Sequence, residues 1–222
     1  MNAPLPATHP ALSAPAMHID AAAADDPLVL TEIFADAVQL VEWRRPPQAA
    51  ISAWLASHAG HLGSGLRQIL RPGDPVDLSR FPAGPGRDAL AADLGLLAEM
   101  LGELVAAESI GLRLEVMRQA MCPRLHVDRV GIRMLCTYRG AGTEWVAERD
   151  VDRRFLGAGA AGQPDTDSGL LRPGYRIERI PPFAVALLKG SLWQGNAGRG
   201  AVHRSPAVTE APRILVALDA GW

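Results

Sequence analysis

The stretch Cys122-Pro-Arg-Leu-His126-Val-Asp128 sets an imidazole and a carboxylate two residues apart. On extended backbone, positions two apart face the same side of a sheet, so His126 and Asp128 can project into one cavity. A second imidazole, His203, stands in the later segment Ala201-Val-His203-Arg-Ser-Pro206. Two imidazoles and one carboxylate on one side of a metal, with other positions left open, form the facial set that suits non-haem Fe(II). The alternative for the same three residues is structural: Asp128 paired with Arg129 or Arg133, and the histidines satisfied in a core. His18-Ile-Asp20 repeats the spacing. It lies in an Ala- and Pro-rich stretch without a strand pattern, and is discounted.

Other residues near these motifs have chemistry to offer, each beside an ordinary role. Arg213 opens the apolar run Ile214-Leu-Val-Ala-Leu218, which reads as a buried strand. Its paired N–H donors match a carboxylate; otherwise it is a surface charge at a strand start. Arg133 is either a second anion anchor or a balance for the cluster's charge. A Cys122 thiolate would favour softer metals such as zinc, whereas a packed thiol behaves as a small apolar group. Trp145, Trp193 and Tyr138 are candidate pocket walls with packing as the default. Asn196, Arg204 and Ser205 are candidates for orienting the ligands from behind. Glu144 is the nearby acid that a metal-dependent hydrolase would need.

Taken together, His-x-Asp…His and the late Arg213 resemble the Fe(II)/2-oxoglutarate-dependent dioxygenase superfamily. That resemblance implies iron on His126, Asp128 and His203, with the far carboxylate of 2-oxoglutarate on Arg213. The wording CPRLHVDRVGIRMLCTYRGAGTEWV and KGSLWQGNAGRGAVHRSP is more similar to a bacterial set, domain-of-unknown-function family 1826, over roughly residues 30–222. Members of that family are often encoded near zinc-starvation genes. The resemblance therefore leaves two readings open: an oxygenase of unknown substrate using Fe(II) and 2-oxoglutarate, and a cupin-like protein that handles or senses zinc without turnover.

The elements that must position these residues follow from periodicity. Residues 1–26 have no periodic apolar face and read as a flexible leader. Residues 27–109 read as mainly helical. Leu28–Leu30 is a candidate strand, a helix opens at Thr31, a second holds Ile51, Trp54 and Leu55, and Leu90, Leu94, Leu97, Leu101 and Leu104 mark the clearest helix, from about 88 to 107. His58 and His61 fall at a Gly-marked helix end and read as capping or surface groups. Beyond 110 the period becomes that of strands: 112–117, 132–138, 143–146, 175–180, 183–188, the His203 segment and the Arg213 run. Residues 147–174 are either a lid at the cavity mouth or a mobile insertion. The expected class is α+β, a helical layer packed on a C-terminal jelly roll, or double-stranded β-helix, over 110–222.

Composition narrows the partners. The chain has 222 residues, 48% hydrophobic and 21% charged, with a net charge of −2, so no general electrostatic hold on nucleic acid or an anionic membrane is expected. No apolar run approaches the ~20 residues that span a bilayer. Two cysteines, Cys122 and Cys136, fall short of a closed four-sulfur site and read as reduced thiols. The expected compartment is the cytoplasm, and the expected partner a small-molecule or protein substrate.

Overall fold

The computed structural model describes residues 20–71 and 73–221. Ten strands, β1 (Ala21–Ala24), β2 (Leu40–Trp43), β3 (Gly65–Leu70), β4 (Ser109–Met117), β5 (Ile132–Arg139), β6 (Glu144–Val146), β7 (Glu178–Arg179), β8 (Val185–Lys189), β9 (Val202–Arg204) and β10 (Arg213–Gly221), form two sheets. The large sheet runs β1-β2-β8-β5-β10-β4-β3, and the small one β7-β6-β9. All pairings are antiparallel except β1 with β2. The result is a mixed, mostly β architecture with two α-helices, α1 (Ala49–His58) and α2 (Pro85–Val105).

Alternation in the strands sorts side chains between two cores. On β10, Ile214, Val216 and Leu218 face a large core shared with Ile51, Leu90, Leu94, Leu97 and Leu101 of the helices. This is the packing face that the leucine spacing predicts, and it puts both helices on the outer side of the large sheet. The other face of β10 carries Arg213, Leu215, Ala217 and Asp219. A second, smaller core fills the space between the sheets with Leu40, Leu135, Ile180, Ala186, Leu188 and Ala217.

The chain departs from the expected organisation before residue 110. Residues 21–24 are strand β1, paired with β2, so the leader does not extend to 26; residues 1–19, with the His18 decoy, lie outside the described residues. Leu28–Leu30 is not a strand, and the helix expected from Thr31 stops early. Residues Pro27–Phe34 form a 3-10 helix whose first turn is capped by the Asp26 side chain, and Leu40–Trp43 is a strand. The apolar residues of 38–43 fit either period, and pairing with β8 decides it. Because β2 and β3 belong to the large sheet, 27–109 is not a separate helical layer. The alternation at 175–180 yields only the two-residue β7.

Residues 147–174 pack against the small sheet. The segment winds through three short 3-10 turns, and its Val151 and Leu170 pack against Val146, Val202 and Leu125 on the far side of the small sheet. None of these residues lines the cavity beside His126 and His203, so the lid reading does not hold.

Candidate metal centre

His126 and His203 are brought together by the backbone. They form an isolated antiparallel bridge with reciprocal hydrogen bonds, His126 N–H to His203 O at 2.9 Å and His203 N–H to His126 O at 3.0 Å. Directly opposed residues share a face, and the two rings lie 4.5 Å apart between centroids. Asp128 completes the set from the same segment. Its Oδ1 is 3.4 Å from His126 Nε2 and its Oδ2 is 3.3 Å from His203 Nε2. One donor atom from each residue fits within 4.8 Å of the others. Ligands at right angles around a metal with bonds of ~2.1 Å lie about 3 Å apart, so small rotations would close the set.

The outer ring nitrogens support that use. His126 Nδ1 lies 2.9 Å from the carbonyl of Arg124, and His203 Nδ1 3.0 Å from that of Ala201. A carbonyl only accepts, so each Nδ1 carries the proton and each neutral ring leaves Nε2 as its lone-pair donor. The hydrogen bond with Asp128 raises the His126 pKa, against the opposing effect of burial. Burial pushes Asp128 up, but the two imidazoles, which donate to it through Nε2–H when protonated, and the charge of Arg133 hold it well below the usual carboxylate range. Asp128 is thus a carboxylate wherever the imidazoles are neutral enough to ligate.

Asp128 is held from two sides. Arg133 donates to Asp128 Oδ2 at 2.5 Å while its Nε and Nη2 grip Asp219 at 2.6 and 2.9 Å. On the backbone side, Asp128 O accepts from Ser191 N–H at 2.9 Å. That contact depends on Gly190: a Cβ there would stand 2.1 Å from Val130 O and 2.8 Å from Asp128 O.

Arg213 is buried on the same face of β10 as Leu215 and Ala217, which line the cavity. Its Nε donates to Ala141 O at 2.6 Å, and Nη2 to the hydroxyls of Thr143 at 3.1 Å and Thr137 at 3.3 Å. The β5–β10 register shifts between Ile214 and Leu215, beside Thr137, as bulges near functional sites do. Among the described residues no carboxylate pairs with this guanidinium, and burial alone lowers its pKa to about 10.

The remaining sequence candidates divide. Cys122, Arg204 and Ser205 line the cavity with Met117, Met121 and Thr143. Arg204 is tied to Glu144 at 2.8 Å and Asp165 at 3.3 Å. Four others lie elsewhere. Tyr138 points to the helical side and donates to Asp93 at 2.6 Å. Trp193 packs on Phe34 and Lys189. Asn196 exchanges hydrogen bonds with Gln39. Trp145 opposes His203 in the β6–β9 ladder but lines a different hollow, with Ala21, Leu40 and Glu42. Glu144 is bound by Arg179 and Arg204, which outweigh burial and keep its pKa low, so it is not a free acid for hydrolysis. Sequence reasoning missed Arg113, Glu115, Asp165 and Asp219. The alternation in 112–117 and 213–219 carried the signal for all but Asp165.

The sequence profile of the family described as "Protein of unknown function (DUF1826)" matches residues 24–219. The chain belongs to this family. No curated protein matches it in sequence. Among solved structures, this family member is similar to a rice dioxygenase for auxin oxidation, at 17% identity over 86% of this chain and 76% of that one, with a TM-score of 0.48. It is also similar to a Pseudomonas putida prolyl-4-hydroxylase, at 13% identity over 87% and 92% of the two chains, with a TM-score of 0.44. A third is the non-heme alpha ketoglutarate dependent carbocyclase SnoK, at 12% identity over 85% and 81%, with a TM-score of 0.43. These likenesses are remote, and what the DUF1826 chain can do must come from its own residues. No helix among the described residues is long and apolar enough to cross a membrane.

Proposed function

We propose that the protein is a non-haem Fe(II)- and 2-oxoglutarate-dependent oxygenase acting on a small-molecule or protein substrate. The observation that carries this reading is Arg213. A buried cation without a counter-charge costs several kcal/mol, and a site that tolerates one is built for an anion that arrives with a ligand. Thr137, Thr143 and Ala141 hold the guanidinium by one edge beside a cavity lined by two imidazoles and a carboxylate.

His126 and His203 would hold the metal through Nε2, and Asp128 through its carboxylate. Arg133, anchored on Asp219, keeps Asp128 from rotating away. Arg213 would take the far carboxylate of 2-oxoglutarate, and Met117, Leu135 and Leu215 would keep water from its carbon chain. When bound, Fe(II) supplies the activation of dioxygen, with 2-oxoglutarate as the two-electron donor. The free thiols Cys122 and Cys136 suit a reducing cytoplasm.

The test is anaerobic titration of 2-oxoglutarate into Fe(II)-loaded protein, following the visible metal-to-ligand absorption. A saturable band supports the oxygenase. No band, in a sample confirmed to hold Fe(II), overturns it and leaves the zinc-handling role.

A further inference from the structure

The inner face of the large sheet is covered unevenly. Its β8 and β5 side is sealed by the small sheet through Leu135, Ala186 and Leu188. Towards β4 and β3 the same face is open, with Ile69 83% exposed. Register places Arg67 beside Arg113, Gly65 beside Glu115, Ala217 beside Arg113 and Asp219 beside Arg133, so charged side chains form a row across the open half. Glu115 is shared by Arg67 at 3.2 Å and Arg113 at 4.0 Å. Asp219 is shared by Arg113 at 2.9 Å and Arg133 at 2.6 Å. The row ends on Asp128.

This row does not balance. With Asp128 assigned to a metal, three guanidiniums share two carboxylates. Across the cavity, Arg204 is the cation of the small sheet that lines it, and it is held by Glu144 and Asp165. In a chain of net charge −2, the sheet wall of the cavity thus carries surplus positive charge, beyond that of Arg213. The surplus is accessible at Arg113. This residue lines both the cavity at the ligands and the adjoining open hollow over β3 and β4. It brings one of its N–H groups within hydrogen-bond distance of a partner, Asp219, where Arg133 uses three. A guanidinium has five such donors, and those of Arg113 remain for a ligand.

We infer that the substrate of this site carries an anionic oxyacid group, a carboxylate or a phosphate, which docks on Arg113 with Arg67 beside it. The anion then anchors the substrate on the open half of the sheet while the rest of it reaches along Met117 and Leu215 towards His126 and Asp128. This inference rests on the oxygenase reading for its chemistry, but the anion site is tested separately.

The protein, loaded with Mn(II) and saturating 2-oxoglutarate, is titrated with inorganic phosphate followed by 31P NMR and with labelled acetate followed by 13C NMR. Mn(II) broadens the signal of an anion that binds close by. Saturable broadening is expected for at least one anion, and the tighter of the two identifies the oxyacid. Arg113→Gln should weaken that binding about tenfold, the loss of one charged hydrogen-bonding partner. Arg113→Lys should recover part of it, and Arg67→Gln, on an exposed side chain, should weaken it less. No saturable broadening by either anion overturns the inference. So does broadening unchanged by Arg113→Gln, which would put the anion on the metal itself. If Arg113→Gln does not fold, Arg67→Gln and Arg113→Lys decide, and no weakening in either overturns it. An Fe(II)–2-oxoglutarate band without anion binding removes this inference alone. Arg113-dependent anion binding without a band keeps the anion site and removes the oxygenase.

Discussion

At the residue scale the site depends on donors already aimed by their neighbours. Both imidazoles have their Nδ1 fixed on a backbone carbonyl, so Ala at His126 or His203 removes a ligand without removing a core group. Each substitution should abolish stoichiometric metal, measured by metal analysis after desalting, while leaving the circular dichroism spectrum unchanged; full metal content in both would refute the assignment. Metal binding displaces protons from imidazole. Because Asp128 raises the His126 pKa above its ordinary value, the proton competes with metal from near neutrality downward. Co(II) affinity should therefore fall as pH is lowered from 8 to 6, with Asp128 contributing nothing, since its lowered pKa keeps it ionised throughout. For Arg213, a charged hydrogen bond contributes about 1.5–3 kcal/mol, and ~1.4 kcal/mol is a factor of ten. Arg213→Met should keep metal but weaken 2-oxoglutarate by about tenfold to a hundredfold or more in the anaerobic titration. An undiminished band would take Arg213 out of the site.

At the scale of elements, the turn after β8 supports Asp128, which sits on another segment. Gly190 lets the chain pass against Val130 and Asp128, so that Ser191 N–H can reach Asp128 O. A methyl group at 190 must displace that backbone. Overpacking of this kind costs about 1–3 kcal/mol, and the displaced segment is the one that carries Asp128. Gly190→Ala should lower the midpoint of urea unfolding and, under conditions where the protein is still folded, weaken metal binding as well. Loss of stability with unchanged metal affinity would show that the turn supports the fold but not the ligand. The segment 147–174 works similarly from the other side: Asp165 accepts from Leu125 N–H at 2.9 Å and also holds Arg204, which tethers both histidine-bearing segments.

At the scale of the whole molecule, the large sheet is built from both ends of the chain. β1 pairs with β2, and Asp20 adds its carbonyl to the N–H groups of Gln39 and Leu40 and its carboxylate to Glu148 N–H. A chain beginning at Pro27 therefore loses a strand, its ladder and the Asp26 cap, and should melt several degrees lower than one beginning at Asp20. Equal melting temperatures would mean that β1 contributes no stability. Metal and 2-oxoglutarate should each stabilise the full chain through mass action, by about 2.7 kcal/mol at a hundredfold excess over the dissociation constant, which is read as a rise in melting temperature.

The sequence by itself singled out the His126–Asp128 pair with His203 as a candidate cluster, the leucine face of α2 and most strands after 110, because spacing of two residues marks one face of a strand and spacing of three or four one face of a helix. Tertiary structure alone decided three things. Pairing with β8 made residues 40–43 a strand, although their apolar pattern fits a helix as well. Register across β4, β10 and β5 assembled Arg113, Asp219, Arg133 and Asp128 into one row, although they come from three separate segments. The sheet in which each strand lies sent Tyr138, Trp193 and Asn196 away from the metal cavity and left Arg213 buried beside it. Spacing states which residues share a face of their own segment, and only the folded chain states what that face meets.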